Sequence, residues 1–114
     1  MSKTTVSNLA LATEMEFAFL AGLGFELEER REFASESYRG GFEFTFRGSS
    51  GEQVTVLYSD CEFEVHANGD EVFGALQHDS FAGNMFSREH LIGALPKIRQ
   101  SIEGSLRSFA SSAT

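Results

Sequence analysis

The chain has 114 residues, 41% of them hydrophobic, which suits one globular domain with a single core and is too short for two. Its formal charge is −8, from 17 acidic and nine basic side chains, so phosphate backbones and anionic membranes repel it and a basic partner suits it. A single cysteine allows no internal disulfide and no cysteine-based zinc site, and it suits a reducing compartment, the cytosol.

Phenylalanine is used 12 times against two tyrosines and no tryptophan, so much of the core should consist of rings with no polar atom to satisfy. The N-terminal "MSKTTVSNLALATEMEFAFLAGLG" has one lysine and an apolar run, but Glu14 and Glu16 interrupt it. What remains, "FAFLAGL", is too short for a membrane span and is flanked by acid where an export signal is not.

Ser7 or Asn8 is placed to cap a first helix running to about Ala21, with Leu11, Met15, Ala18 and Phe19 on its apolar face and Glu14 and Glu16 outward. Gly22 should take the left-handed position that ends it, and Gly24 should release the chain into a strand. Phe25 and Leu27 then alternate with Glu26 and Glu28, while "EERRE" has no clean period and its charges mark an edge strand. "SESYRGG" reads as a loop.

"GFEFTFR" sets Phe42, Phe44 and Phe46 against Glu43, Thr45 and Arg47, the pattern of a half-buried strand. "GSSGE" turns the chain into "QVTVLY", and Ser59-Asp60 turns it again into "CEFEVHA". Pairing Phe46 with Val54 and Tyr58 with Cys61 would put Phe42, Phe44, Phe46, Val54, Val56, Tyr58, Cys61, Phe63 and Val65 on one face. Asn68-Gly69 is the strongest hairpin signal in the chain. A two-residue turn there would pair Val65 with Val72, Phe63 with Gly74 and Cys61 with Leu76.

After the irregular "QHDSFAGN", Phe86 and Leu91 form a hydrophobic staple around the cap Ser87. Leu91, Leu95, Ile98, Ile102, Leu106 and Phe109 hold one helical face through Pro96, which predicts one kinked helix; two helices, the second starting at Pro96, is the alternative. The expected architecture is an α+β two-layer domain over residues 1–107: an antiparallel meander of four or five strands with an N-terminal and a kinked C-terminal helix on its apolar face. Residues 108–114, "SFASSAT", are expected to fray.

Glu62, Glu64 and His66 fall at i, i+2 and i+4 on the outer face, with Glu71 opposite His66. Carboxylates and an imidazole are divalent-cation ligands, but strand geometry sets i and i+2 side chains about 7 Å apart, and no metal or other cofactor is assigned. Cys61 points to the core in this register, where a thiol is a small hydrophobe and not a nucleophile. His78-Asp79 and His90 have no serine or cysteine at a triad-like spacing, and "RGSSGE" and "AGLGF" lack the spacing of phosphate loops. No catalytic role is assigned. The face that joins carboxylates to apolar side chains, Leu57, Glu62, Glu64, His66, Glu71 and Phe73, is the candidate partner surface, suited to steering and then anchoring a basic protein.

The layout, "FAFLAGLGFELEE" leading through a Phe-rich meander to "SDCEFEVHANGD" and a capped final helix, is similar to that of small bacterial immunity-type proteins over about Leu9 to Arg107. The resemblance implies a cytosolic acidic protein that neutralises a toxin by surface complementarity. The chain is expected to be a non-enzyme, monomeric or homodimeric. A second similarity, to acidic dimeric secretion chaperones or adaptors, is opposed by the uninterrupted meander; a small metal-dependent enzyme is the third reading.

Overall fold

The computed structural model describes residues 4–33, 40–74 and 86–112. Helix α1 (Val6–Glu16) is followed by the short α2 (Phe19–Gly22), strands β1 (Glu26–Phe33), β2 (Gly41–Arg47), β3 (Gln53–Ser59), β4 (Glu62–Ala67) and β5 (Asp70–Phe73), and helix α3 (Arg88–Ser112). The strands form one antiparallel sheet in sequence order, with the helices packed on one of its faces, so the domain is α+β and two-layered as expected. "SESYRGG" from Ser35 to Arg39, "QHDSFAGN" and the expected Leu76 partner lie outside the described residues.

The first helix differs from expectation in cap, length and phase. Thr5, not Ser7 or Asn8, is the cap: its extended backbone lets Oγ1 accept the Asn8 N–H at 3.0 Å. The helix breaks at Phe17-Ala18 before resuming as α2. Its inward residues are Val6, Leu9, Ala10 and Thr13, continued by Phe17 and Leu20, whereas Leu11 and Met15 are 53% and 70% exposed and Ala18 is exposed as well. The buried Thr13 hydroxyl costs little, since it donates to the Leu9 carbonyl at 2.8 Å. Gly24, with φ +93°, takes the left-handed position expected of Gly22. The Phe25 N–H bonds the Leu20 carbonyl at 3.0 Å and the Gly24 N–H that of Ala21 at 3.1 Å, which is the Schellman closure.

The sheet carries the Phe-rich face as read. Phe46 pairs with Val54, Phe44 with Val56 and Phe42 with Tyr58, and all six are buried with Phe63 and Val65. The β3–β4 turn, however, is Asp60-Cys61 and not Ser59-Asp60. Both turn residues have positive φ, 54° and 66°, the geometry of a tight hairpin, so Tyr58 pairs with Phe63 and Ser59 with Glu62. Cys61 is therefore a half-exposed turn residue and not part of the core.

Asn68-Gly69 turns the chain as expected, with φ of 51° and 86°, and His66 faces Glu71. A register shift between Val65 and His66 then sets Val65 opposite Phe73 where Val72 was expected. That one-residue shift sends Phe73 to the helix side, fully buried, with its ring 5.9 Å from Phe63 and 6.3 Å from Phe86.

Helix α3 is a single helix through Pro96, starting from the Ser87 cap, whose Oγ accepts the His90 N–H at 3.1 Å. Leu91, Leu95, Ile98, Ile102 and Leu106 are all buried, and Phe86 is the staple partner. Proline removes the donor for the Ile92 carbonyl, and Ile92, Gly93 and Pro96 all lie on the exposed side of the helix. The helix continues to Ser112, so most of the expected tail is helical. Its start is fixed to the sheet by two bonds: the Tyr58 hydroxyl donates to the Phe86 carbonyl at 2.7 Å, and the Phe86 N–H donates to the Cys61 carbonyl at 2.7 Å. Burial, above all, pushes the Tyr58 hydroxyl pKa up.

Candidate binding face

With every helix on the Phe-rich side, the opposite face of the sheet is uncovered among the described residues. Register arranges its side chains in rows across the strands. One row runs Arg31, Glu43, Leu57, Glu64, and the next runs Glu29, Thr45, Thr55, His66, Glu71. Leu57 thus sits directly between two carboxylates on neighbouring strands, half-buried by them.

Of the residues expected on this face, Leu57, Glu62, Glu64, His66 and Glu71 are there and Phe73 is not. Phe73 belongs to the core, and the apolar contact of this face falls to Leu57 alone among those six. Arg31 and Glu43 were missed as members, although the alternation of "GFEFTFR" had already pointed Glu43 outward. Arg31 was hidden because its strand shows no period.

Charges on the face are linked. Arg31 Nη1 lies 3.2 Å from Glu43 Oε1, and His66 Nε2 lies 2.9 Å from Glu64 Oε1, so the imidazole and carboxylate already engage each other along one strand. Among the described residues no three histidine, cysteine, aspartate or glutamate side chains converge as metal ligands. The Cys61 sulfur neighbours the Tyr58 hydroxyl, whose own pKa is raised.

At the sheet margin and on the helices, the arginines hold carboxylates below their ordinary pKa. Glu28 is lowered by its hydrogen bond from Arg47, Glu32 by bonds from Ser7 and then Arg30, and Glu103 by bonds from Arg107 and then Arg99. Arg99 also reaches Glu16 at 2.8 Å, which links α3 to α1. A carboxylate depressed in the folded state stabilises fully above its unfolded pKa, and that contribution disappears as pH falls through the folded value. The urea midpoint should therefore fall between pH 6 and pH 3, the loss setting in below about pH 4.3. Arg47→Gln should make the fall smaller. Equal midpoints at the two pH values would show that these pairs do nothing for stability, the limiting case for exposed ion pairs.

No protein-family model, no curated protein and no solved structure matches this chain. No helix among the described residues is long and apolar enough to cross a membrane.

Proposed function

We propose that this chain is a non-catalytic, acidic, cytosolic binding domain that captures a basic protein on the outer face of its sheet, as an immunity-type inhibitor captures its toxin. The observation that carries the reading is Leu57 set between Glu43 and Glu64 on an uncovered sheet face, in a chain of net charge −8. Carboxylates steer a basic partner during approach, and a central apolar side chain ringed by polar groups is what such an interface uses to hold on.

The test is capture on immobilised protein from the source cell's lysate, run in parallel with wild type and with Glu62→Lys/Glu64→Lys. A basic protein retained by the first and lost by the second is the expected result. With that protein in hand, the double reversal should slow association about tenfold at low salt and less at high salt. Leu57→Ala should mainly speed dissociation, by about tenfold. A partner bound equally by wild type and both variants would exclude this face.

A further inference from the structure

Among the described residues the sheet has an open edge at β1, and the helix beside it turns apolar side chains toward that edge. Leu11, Met15 and Leu27 are the large hydrophobics exposed there, at 53%, 70% and 37%, and with Phe25 and Phe46 they line a groove of about 280 Å³ between α1 and β1. An apolar groove against an unpaired strand is a surface that a second strand and helix would cover together.

We infer that the occupant is a second copy of this chain, docked antiparallel along β1 about a two-fold axis through Arg31, so that the two sheets join edge to edge and the two α1 helices pack side by side. Three features of the edge support this arrangement. First, the strand is regular from Glu29 to Phe33, after the register shift between Leu27 and Glu29, and a two-fold at Arg31 pairs this regular part with itself. Second, that register sets Arg30 opposite Glu32 of the other copy, twice, on the helix side. Charged edges deter an unmatched strand; here the two Arg30–Glu32 pairs are opposite in sign, and the Arg31 that meets its own copy on the outer face has Glu29 and Glu43 of its own chain beside it. Arg30 already donates to Glu14 and to Glu32 of its own chain, and a guanidinium has five N–H groups to share.

Third, the helices fall at the right distance and level. Helix α1 packs on both β1 and β2, so it lies over the two strands at this edge. Rotated about the two-fold from a place midway over β1 and β2, two such axes lie about two strand spacings apart, roughly 10 Å, the ordinary distance between packed helices. Ser7 donates to Glu32 at 2.9 Å and Glu14 accepts from Arg30 at 2.8 Å, so Leu11, between them on the same stripe of the helix, is level with Arg31. Leu11 therefore meets Leu11 of the second copy on the axis, with Met15 extending over the other helix. The two outer faces emerge on the same side, forming one continuous surface of ten strands.

Light scattering or sedimentation at about 100 μM, where a micromolar dimer is populated, should give twice the single-chain mass. Leu11→Asp, an exposed substitution checked for an unchanged circular-dichroism spectrum, should weaken dimerisation more than tenfold. In a Cys61→Ser background, Leu11→Cys should form an interchain disulfide on mild oxidation, because helices about 10 Å apart bring facing Cα atoms to roughly 5 Å. That cross-link decides the matter even if Leu11→Asp does not fold. A single-chain mass at this concentration, a dimer indifferent to a folded Leu11→Asp variant, or a dimer in which Leu11→Cys stays unlinked would overturn the arrangement.

Discussion

Phe63→Ala should lower the unfolding free energy by roughly 3–5 kcal/mol, which moves the urea midpoint by about 1–5 M. Phe63 is fully buried at the middle of the apolar face, on a strand paired on both sides, and it pairs with Tyr58. Its ring lies 6.5 Å from Phe17 at the α1–α2 break and 5.9 Å from Phe73 on β5, so it joins the helical layer to the last hairpin. No single neighbour can relax into the space, because Phe17, Phe73 and Tyr58 are each fully buried and held by separate elements. Phe63→Leu, which keeps most of the volume, should cost less than half as much. If Phe63→Ala left the midpoint near the wild-type value, the Tyr58–Phe63 register would be wrong.

The parts of this fold that were legible in the sequence are those where a single period runs without interruption. "GFEFTFR" and "QVTVLY" alternate cleanly, and the faces of β2 and β3 follow at once. The last helix keeps Leu91, Leu95, Ile98, Ile102 and Leu106 in phase, so Pro96 did not obscure it. Elsewhere local chemistry offered two answers. The first helix has apolar residues around most of its circumference, Val6, Leu9 and Ala10 on one side and Leu11 and Met15 on another, and only packing against the sheet selects the first set. Strand β1 showed no period because Arg30 and Glu32 occupy its helix-side positions, where Glu14 and Ser7 of α1 meet them and the Arg30 guanidinium lies 5.5 Å over the Phe44 ring.

The side-chain directions around β4 were legible except at two places, the β3–β4 turn and the register shift beside Val65. Asp60-Cys61 adopts a geometry that usually selects asparagine or glycine, and nothing in "YSDCEFE" announces it. The misplaced turn put Cys61 in the core while leaving Phe63 and Val65 on their proper side, because the partner of Tyr58 moved by two residues, a whole period. The register shift beside Val65 moved the chain by one residue, which inverts faces: Phe73 went from presumed anchor to core. In a stretch such as "DEVFG", where Val72 and Phe73 are both good strand formers, only the three-dimensional need to fill the space beside Phe63 and Phe86 decides which one turns inward.

Gly41→Ala should destabilise the domain by about 3 kcal/mol or more, an effect well beyond what a surface glycine gives. Gly41 opens β2 and pairs with Phe33 of β1. A Cβ at this position would lie 1.8 Å from the Tyr58 carbonyl oxygen and 2.7 Å from its carbon, with the Phe33 ring at 3.1 Å on the other side. The first two atoms are backbone, so no rotamer change removes the overlap; β2 must move away from β3, and the adjoining Phe42–Tyr58 pair opens with it. Tyr58 also holds the start of α3 through its hydroxyl, so the displacement reaches the second layer. Gly93→Ala on the exposed side of α3, where a Cβ meets nothing within 4 Å, serves as the matched control and should be neutral or raise stability by about 0.5–1 kcal/mol. Urea midpoints of the two variants would separate by about 1–3 M, and near-identical midpoints would mean that β2 does not approach Tyr58 as closely as described.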